Sequence, residues 1–310
     1  MTELVLTDPI PSLFQELSAH RFETCQMSQA TAVEFQSAVA IVSYGHSQID
    51  GALLDKCPNV KVVSNHGVGV DHIEVAAARD RSVLVGNTPG CLDASTADMA
   101  MALILATARN VVVGDHFARS AEFRSYDPSL LIGQEVSGST IGIVGLGRIG
   151  FQVAKRAAAF DMKVLYHNRN QRADIPPEMA VYSTLNNLLQ QSDFVVLTCP
   201  LTTDTTGLIG QPQFDAMKQS AILINMARGP VVSTNDLFEA LRDGRIRAAG
   251  LDVTDPEPLP RDHPMLSLSN VVMTPHLGSA SNWTRERMMQ LTVDNLIAGV
   301  EGRPLPHPVP

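Results

Sequence analysis

The chain has 310 residues, 45% of them apolar and 5% aromatic, enough for two ordinary domains with separate cores, which excludes disordered and fibrous classes. Its 23 Lys and Arg against 32 Asp and Glu give a formal charge of −9, which repels a nucleic-acid backbone and argues against a nucleic-acid partner. Four cysteines, Cys25, Cys57, Cys91 and Cys199, form no Cys-x-x-Cys pair, so neither a disulfide framework nor a bound metal is expected. No apolar run reaches the roughly 18 residues of a membrane span, and residues 1–11 carry no basic side chain. These features predict a soluble cytoplasmic protein with no membrane partner.

Taken in chain order, β-branched runs at residues 4–6, 38–42, 60–63 and 83–85 alternate with helical stretches, the rhythm of parallel strands joined by crossover helices. Residues 94–109 follow, where Met99, Met101, Leu103, Ile104 and Leu105 among alanines leave almost no polar face. Such a helix must be covered on every side. In a connection between two lobes it has few internal neighbours, so this reading places it at a subunit interface and predicts a homodimer. Six further strands, at residues 140–144, 163–166, 194–197, 222–225, 248–253 and 271–273, complete a doubly wound sheet. A last helix at residues 281–299 returns to the first lobe before a Pro-rich tail at 304–310. The expected class is α/β with two doubly wound parallel-sheet lobes, residues 1–92 with 282–310 in one and 93–281 in the other.

The strand at 140–144 runs directly into Gly145-Leu146-Gly147-Arg148-Ile149-Gly150, and an apolar helical stretch follows at 153–160. In that setting the first glycine allows the tight turn, the second lets backbone approach a pyrophosphate, and the third lets helix and strand pack closely. At the end of the next strand, where an NAD site places a carboxylate for the ribose 2′-hydroxyl, the chain reads His167-Asn168-Arg169-Asn170-Gln171-Arg172. Asn168 removes the charge that repels a 2′-phosphate, and Arg169 and Arg172 flank Asn170 with guanidinium forks suited to grip one. This turn predicts NADP(H) as the preferred cofactor, with NAD(H) as the alternative.

Three segments follow late strands: Asn225-Met226-Ala227-Arg228-Gly229, Asp252-Val253-Thr254-Asp255-Pro256-Glu257-Pro258 and Thr274-Pro275-His276-Leu277-Gly278. Together with the phosphate loop and Asn65-His66-Gly67-Val68-Gly69-Val70-Asp71, they resemble the D-isomer-specific 2-hydroxyacid dehydrogenase family over about residues 40–300. The resemblance implies a flavodoxin-like substrate lobe and a Rossmann cofactor lobe. It also implies that His276 protonates the alkoxide formed by hydride transfer, with Glu257 orienting the ring and stabilising the imidazolium. Arg228 would hold the substrate's carboxylate or carbonyl oxygen, the backbone N–H groups of Val68 and Gly69 the other end of the carboxylate, and Ser279 and Arg285 would reach the substrate.

By the same resemblance the cofactor touches Leu146, Arg148, Ile149, Cys199, Pro200, Met226, Asp252 and Gly278. Asp252 would accept from the nicotinamide carboxamide or help hold Arg228. Within the family the chain is most similar to glyoxylate and hydroxypyruvate reductases, which implies a small 2-keto or 2-hydroxy acid as substrate. Glu257 in place of Gln argues against formate oxidation, and the uncharged Val68 against phosphite. Residues 123–131 lack the tryptophans many such reductases carry there, and the one tryptophan is Trp283. That departure keeps a bulkier 2-keto acid, such as 2-ketogluconate or an aryl pyruvate, as an alternative. A non-catalytic, dinucleotide-sensing corepressor-like protein is the alternative from another class.

Overall fold

The computed structural model describes residues 3–310, which form two compact units: residues up to Leu92 with Ala280–Pro310, and Asp93–Ser279. Unit 1 opens with β1 (Glu3–Thr7), α1 (Leu13–Leu17), β2 (Phe22–Gln26), α2 (Ala32–Ser37) and β3 (Ala40–Ser43). It continues with α3 (Gly51–Lys56), β4 (Val62–Asn65), α4 (Val75–Asp80) and β5 (Leu84–Gly86). Unit 2 holds α5 (Asp93–Ala108), α6 (Val111–Arg119), β6 (Thr140–Val144), α7 (Arg148–Ala159), β7 (Lys163–His167), β8 (Val181–Tyr182) and α8 (Leu185–Gln191). Then come β9 (Phe194–Leu197), α9 (Gln211–Ala216), β10 (Ile222–Asn225), α10 (Thr234–Arg242), β11 (Ala248–Leu251) and β12 (Val271–Met273), after which α11 (Asn282–Val300) belongs to unit 1.

The sheet of unit 1 is wholly parallel in the order β2-β1-β3-β4-β5, the flavodoxin-like arrangement expected. Successive residues of its central strands are buried on opposite faces. Val5, Val42 and Val62 pack with Met289, Val293 and Leu296 of α11, while Leu6, Ile41 and Val63 pack with Leu54 of α3 and Ala78 of α4. β2 escapes the sequence reading because it is an edge strand in which only Phe22 is buried, so it lacks an apolar run.

The sheet of unit 2 is also wholly parallel, in the order β12-β11-β10-β9-β6-β7-β8. Counted within the unit, β6 to β11 follow the Rossmann order, and the strand order reverses between β6 and β9. The two-residue edge strand β8 adds a seventh member to the six expected, and β11 ends at Leu251, two residues early, because the chain turns at Asp252. The expectation that residues 94–109 have few internal neighbours is corrected. Ala97, Ala100, Met101, Leu103 and Ile104 of α5 share a core with Ile141 and Ile143 of β6, Val153 and Ala157 of α7 and Ile224 of β10. Among the described residues no single helix is long and apolar enough to cross a membrane, and no group of three or more His, Cys, Asp or Glu could hold a metal ion.

Candidate active site

The reversal point between β6 and β9 is built by the glycine loop. Gly145 sits at φ +100°, where an L side chain is strained, and a Cβ there would lie 2.5 Å from the Cys199 nitrogen. A Cβ on Gly150 would come within 2.4 Å of the Gly145 carbonyl oxygen, so helix and loop touch backbone to backbone. Thr198 locks the crossing by donating its hydroxyl to that carbonyl at 2.8 Å. α7 begins at Arg148, five residues earlier than the apolar pattern suggests, so the Arg148, Ile149 and Gly150 N–H groups belong to its first turn, where helical partners are lacking. A Cβ placed on Gly147 would meet no atom within 4 Å. An open face, a helix N-terminus and a glycine turn together fit a pyrophosphate.

The other expected cofactor residues are held in different ways. The Leu146 N–H donates to Asn168 Oδ1 at 2.7 Å and its carbonyl accepts from Arg172 Nη1 at 3.0 Å, so the turn after β7 is tied to the loop. Arg169 and Asn170 are exposed, and the Arg148 side chain pairs with Asp93 at 3.1 Å. Cys199 and Met226 are buried and Pro200 is exposed. Burial pushes the Cys199 thiol up to about 11, which removes it as a nucleophile at neutral pH.

Arg228, Glu257 and His276 follow β10, β11 and β12, three adjacent strands, and all leave at the carboxyl end of the sheet, where doubly wound folds place ligands. His276 Nδ1 lies 2.8 Å from Glu257 Oε1. Arg228 is half-buried in extended backbone, with Nη1 donating to the Ala227 carbonyl at 2.9 Å and its own carbonyl accepting from Asn225 Nδ2 at 3.0 Å. His276 itself adopts φ +56°, a left-handed conformation uncommon for a residue with a side chain. Asp252 maintains it. Its Oδ1 accepts from the Thr274 hydroxyl at 2.6 Å and the Leu277 N–H at 2.7 Å, its Oδ2 accepts from the Gly278 N–H at 2.8 Å, and its carbonyl accepts from the His276 N–H at 2.9 Å. The Gly278 carbonyl accepts from Ser95 at 3.0 Å, and Ser279 beside it is half-buried.

In unit 1 the loop after β4 is turned by its carbonyls. Asn65 Nδ2 donates to the Gly67 and Gly69 oxygens at 3.0 and 2.9 Å, Asn87 Nδ2 donates to the Val68 oxygen at 2.9 Å, and the Thr88 N–H donates to Gly67 at 3.0 Å. Among the described residues the Val68 and Gly69 N–H groups donate to no other group of the chain. Arg285, on the first turns of α11, places its charge near the buried His66. The sequence reading gave no role to Thr198, Thr274, Asn65 or Asn87. Each acts by a bond to a backbone group or a buried carboxylate, and although Asn65 and Thr274 lay inside recognised motifs, Thr198 and Asn87 lay in none.

The family model described as the NAD-binding domain of D-isomer-specific 2-hydroxyacid dehydrogenases matches residues 101–278. The glyoxylate reductase of Pyrococcus horikoshii is 46% identical over 268 residues, covering 85% of this chain and 80% of that protein. Among solved structures, a Thermus thermophilus protein superposes with a TM-score of 0.91 at 42% identity over the full length of both chains. The NADPH-dependent glyoxylate/hydroxypyruvate reductase of Sinorhizobium meliloti, in complex with NADP and malonate, gives 0.90 at 31% identity over 99% of this chain and 96% of that one.

Proposed function

The chain belongs to the D-isomer-specific 2-hydroxyacid dehydrogenase family, an oxidoreductase with a nicotinamide-dinucleotide domain, and we infer that it reduces a small 2-keto acid of the glyoxylate or hydroxypyruvate type to the D-2-hydroxy acid with NADPH. The observation that carries this reading is the 2.8 Å pairing of His276 Nδ1 with Glu257, beside the strand that delivers Arg228. The cofactor, when bound, supplies the hydride. Glu257 holds the imidazole so that Nε2 is the nitrogen left to donate, and His276 gives its proton to the oxygen that becomes the hydroxyl. Positioned acid catalysis of this kind contributes about 10² to 10⁴ in rate. Arg228 orients the keto acid through its planar fork, a task an ammonium performs poorly. Val68 and Gly69 N–H groups take the carboxylate in unit 1, and Ser279 and Arg285 are assigned to the remainder of the substrate.

Asn168, Arg169 and Arg172, with no carboxylate at the end of β7, support NADPH over NADH as the better cofactor. The protein is read as a cytoplasmic homodimer. The test is a steady-state panel of glyoxylate, hydroxypyruvate, pyruvate, phenylpyruvate and 2-ketogluconate with each dinucleotide, alongside His276→Ala. The two small acids with NADPH are expected to give the highest kcat/KM, and His276→Ala to lower kcat by about 10² to 10⁴ while calorimetric NADPH affinity holds within about two-fold. Tight dinucleotide binding with no turnover of any keto acid would overturn the reading in favour of a sensing protein.

A further inference from the structure

The two arginines of the turn after β7 stand in different circumstances. All three nitrogens of Arg172 are engaged: Nε donates to Asp174 Oδ1 at 3.0 Å, Nη2 bonds Asp174 Oδ2, and Nη1 donates to the Leu146 carbonyl at 3.0 Å. Its backbone is anchored as well, because the Arg172 N–H donates at 3.0 Å to the hydroxyl of Tyr166, a fully buried residue of β7. This is a bidentate pair on a fixed turn, with geometry that separates it from ordinary surface ion pairs. The Arg172 hydrogen bonds hold the Asp174 carboxyl below its ordinary range, so it stays ionised at neutral pH. The Arg169 side chain is 86% exposed and meets Asp204 only at 3.9 Å, a contact of little energetic weight.

We propose that Asp174 is a cofactor-selecting residue: it docks the Arg172 guanidinium onto the phosphate loop and balances its charge, so the enzyme accepts NADH as well as NADPH and its preference for the phosphorylated form rests on Arg169. The proposal depends on the dinucleotide reading of the Gly145–Gly150 loop and sharpens the selectivity assigned to it. A guanidinium has five N–H donors, and the three that Arg172 commits to Asp174 and Leu146 leave two, on Nη1 and Nη2. A 2′-phosphate approaching that fork meets a carboxylate already bound to it. The pairing therefore offers the phosphate hydrogen bonds without net positive charge, while Arg169 offers both. An adenosine ribose with a free 2′-hydroxyl is insensitive to that balance.

The test is calorimetric titration of the full-length protein with ADP-ribose and with 2′-phospho-ADP-ribose, for wild type, Asp174→Asn and Asp174→Ser, with Asp204→Asn as comparison and circular dichroism to verify folding. Removing the Asp174 charge is expected to raise the affinity ratio in favour of the 2′-phosphate about five- to twenty-fold, the scale of one charge-assisted contact. Asp204→Asn should change it less than two-fold. Adding Arg172→Met to Asp174→Asn should erase the gain, and the NADPH/NADH ratio of kcat/KM should move in parallel. A ratio within two-fold of wild type in both Asp174 variants, or an equal gain for both fragments, overturns the proposal. Binding of neither fragment to wild type overturns the dinucleotide reading itself.

Discussion

A buried carboxylate is stable only when its lone pairs are occupied, and those of Asp252 go to Thr274, Leu277 and Gly278, all on the loop that carries His276. The family resemblance suggested that Asp252 meets the nicotinamide or Arg228. Its geometry gives it a further task, because these bonds hold His276 in a left-handed conformation that costs on the order of 1–3 kcal/mol elsewhere. Asp252→Asn keeps the shape but turns an NH₂ toward backbone donors, leaving at least one N–H unsatisfied. It is expected to destabilise unit 2 by about 2 kcal/mol. Because small displacements of a catalytic group are expensive, kcat should fall about ten-fold or more. Urea denaturation and steady-state kinetics measure the two effects. Loss of stability with an unchanged kcat would leave Asp252 a purely structural anchor.

At the scale of elements, legibility followed burial. Strands buried on both faces stand out by their apolar residues, unbroken in β9 and followed by polar residues only at the carboxyl ends of β3, β4 and β10, whereas β2 and β8 lie at sheet edges with half-exposed side chains and leave no pattern. The residue types at the ends of β10, β11 and β12 were readable because strand ends are where this topology concentrates chemistry. Asp174 and Thr198 were not, since their meaning lies in which atom they touch across the turn. The apolar composition of α5 was evident, but only packing shows that α7, β6 and β10 cover it.

A cluster of apolar surface without internal cover lies instead on the next helix and the segment after it. No residue of α6 is buried, Val111 is 53% exposed, and Tyr126 and Ile132 beyond it are 83% and 71% exposed. The Phe117–Phe123 ring contact at 5.6 Å and the Asn110 Nδ2 bond to the Leu131 carbonyl join helix and segment into one patch, the kind that marks a protein contact. A homodimer through this patch predicts a light-scattering mass twice that of one chain, reduced to one chain by combining Val111→Glu with Ile132→Glu. A monomeric wild type would refute it.

The stability of the whole chain should depend on pH through one residue more than through its −9 formal charge. The side chains of Glu34, Asp55, Asp127, Asp174, Asp243 and Glu301 are held below their ordinary range by hydrogen bonds, but they are surface groups whose interactions with water-screened partners carry little weight. His66 is different. Burial, reinforced by the nearby Arg285 charge, lowers it to about 4. Thr292 donates its hydroxyl to the Met288 carbonyl at 2.8 Å, so it accepts from His66 Nδ1 at 3.1 Å, which sets the Nδ1–H form of the ring, while burial disfavours its charge. As pH falls through about 6.5, the unfolded chain binds a proton that the folded chain refuses until about 4, so the stability supplied by this site is complete above that window and lost within it. Between pH 7.5 and 5 the loss from His66 alone should be about 2 kcal/mol. Urea denaturation followed by circular dichroism at both pH values reads it, and His66→Gln, which retains a donor for Thr292 without an ionisable ring, should flatten the pH dependence by that amount. Equal slopes for wild type and variant would mean that His66 takes up its proton in the folded chain as readily as in the unfolded one.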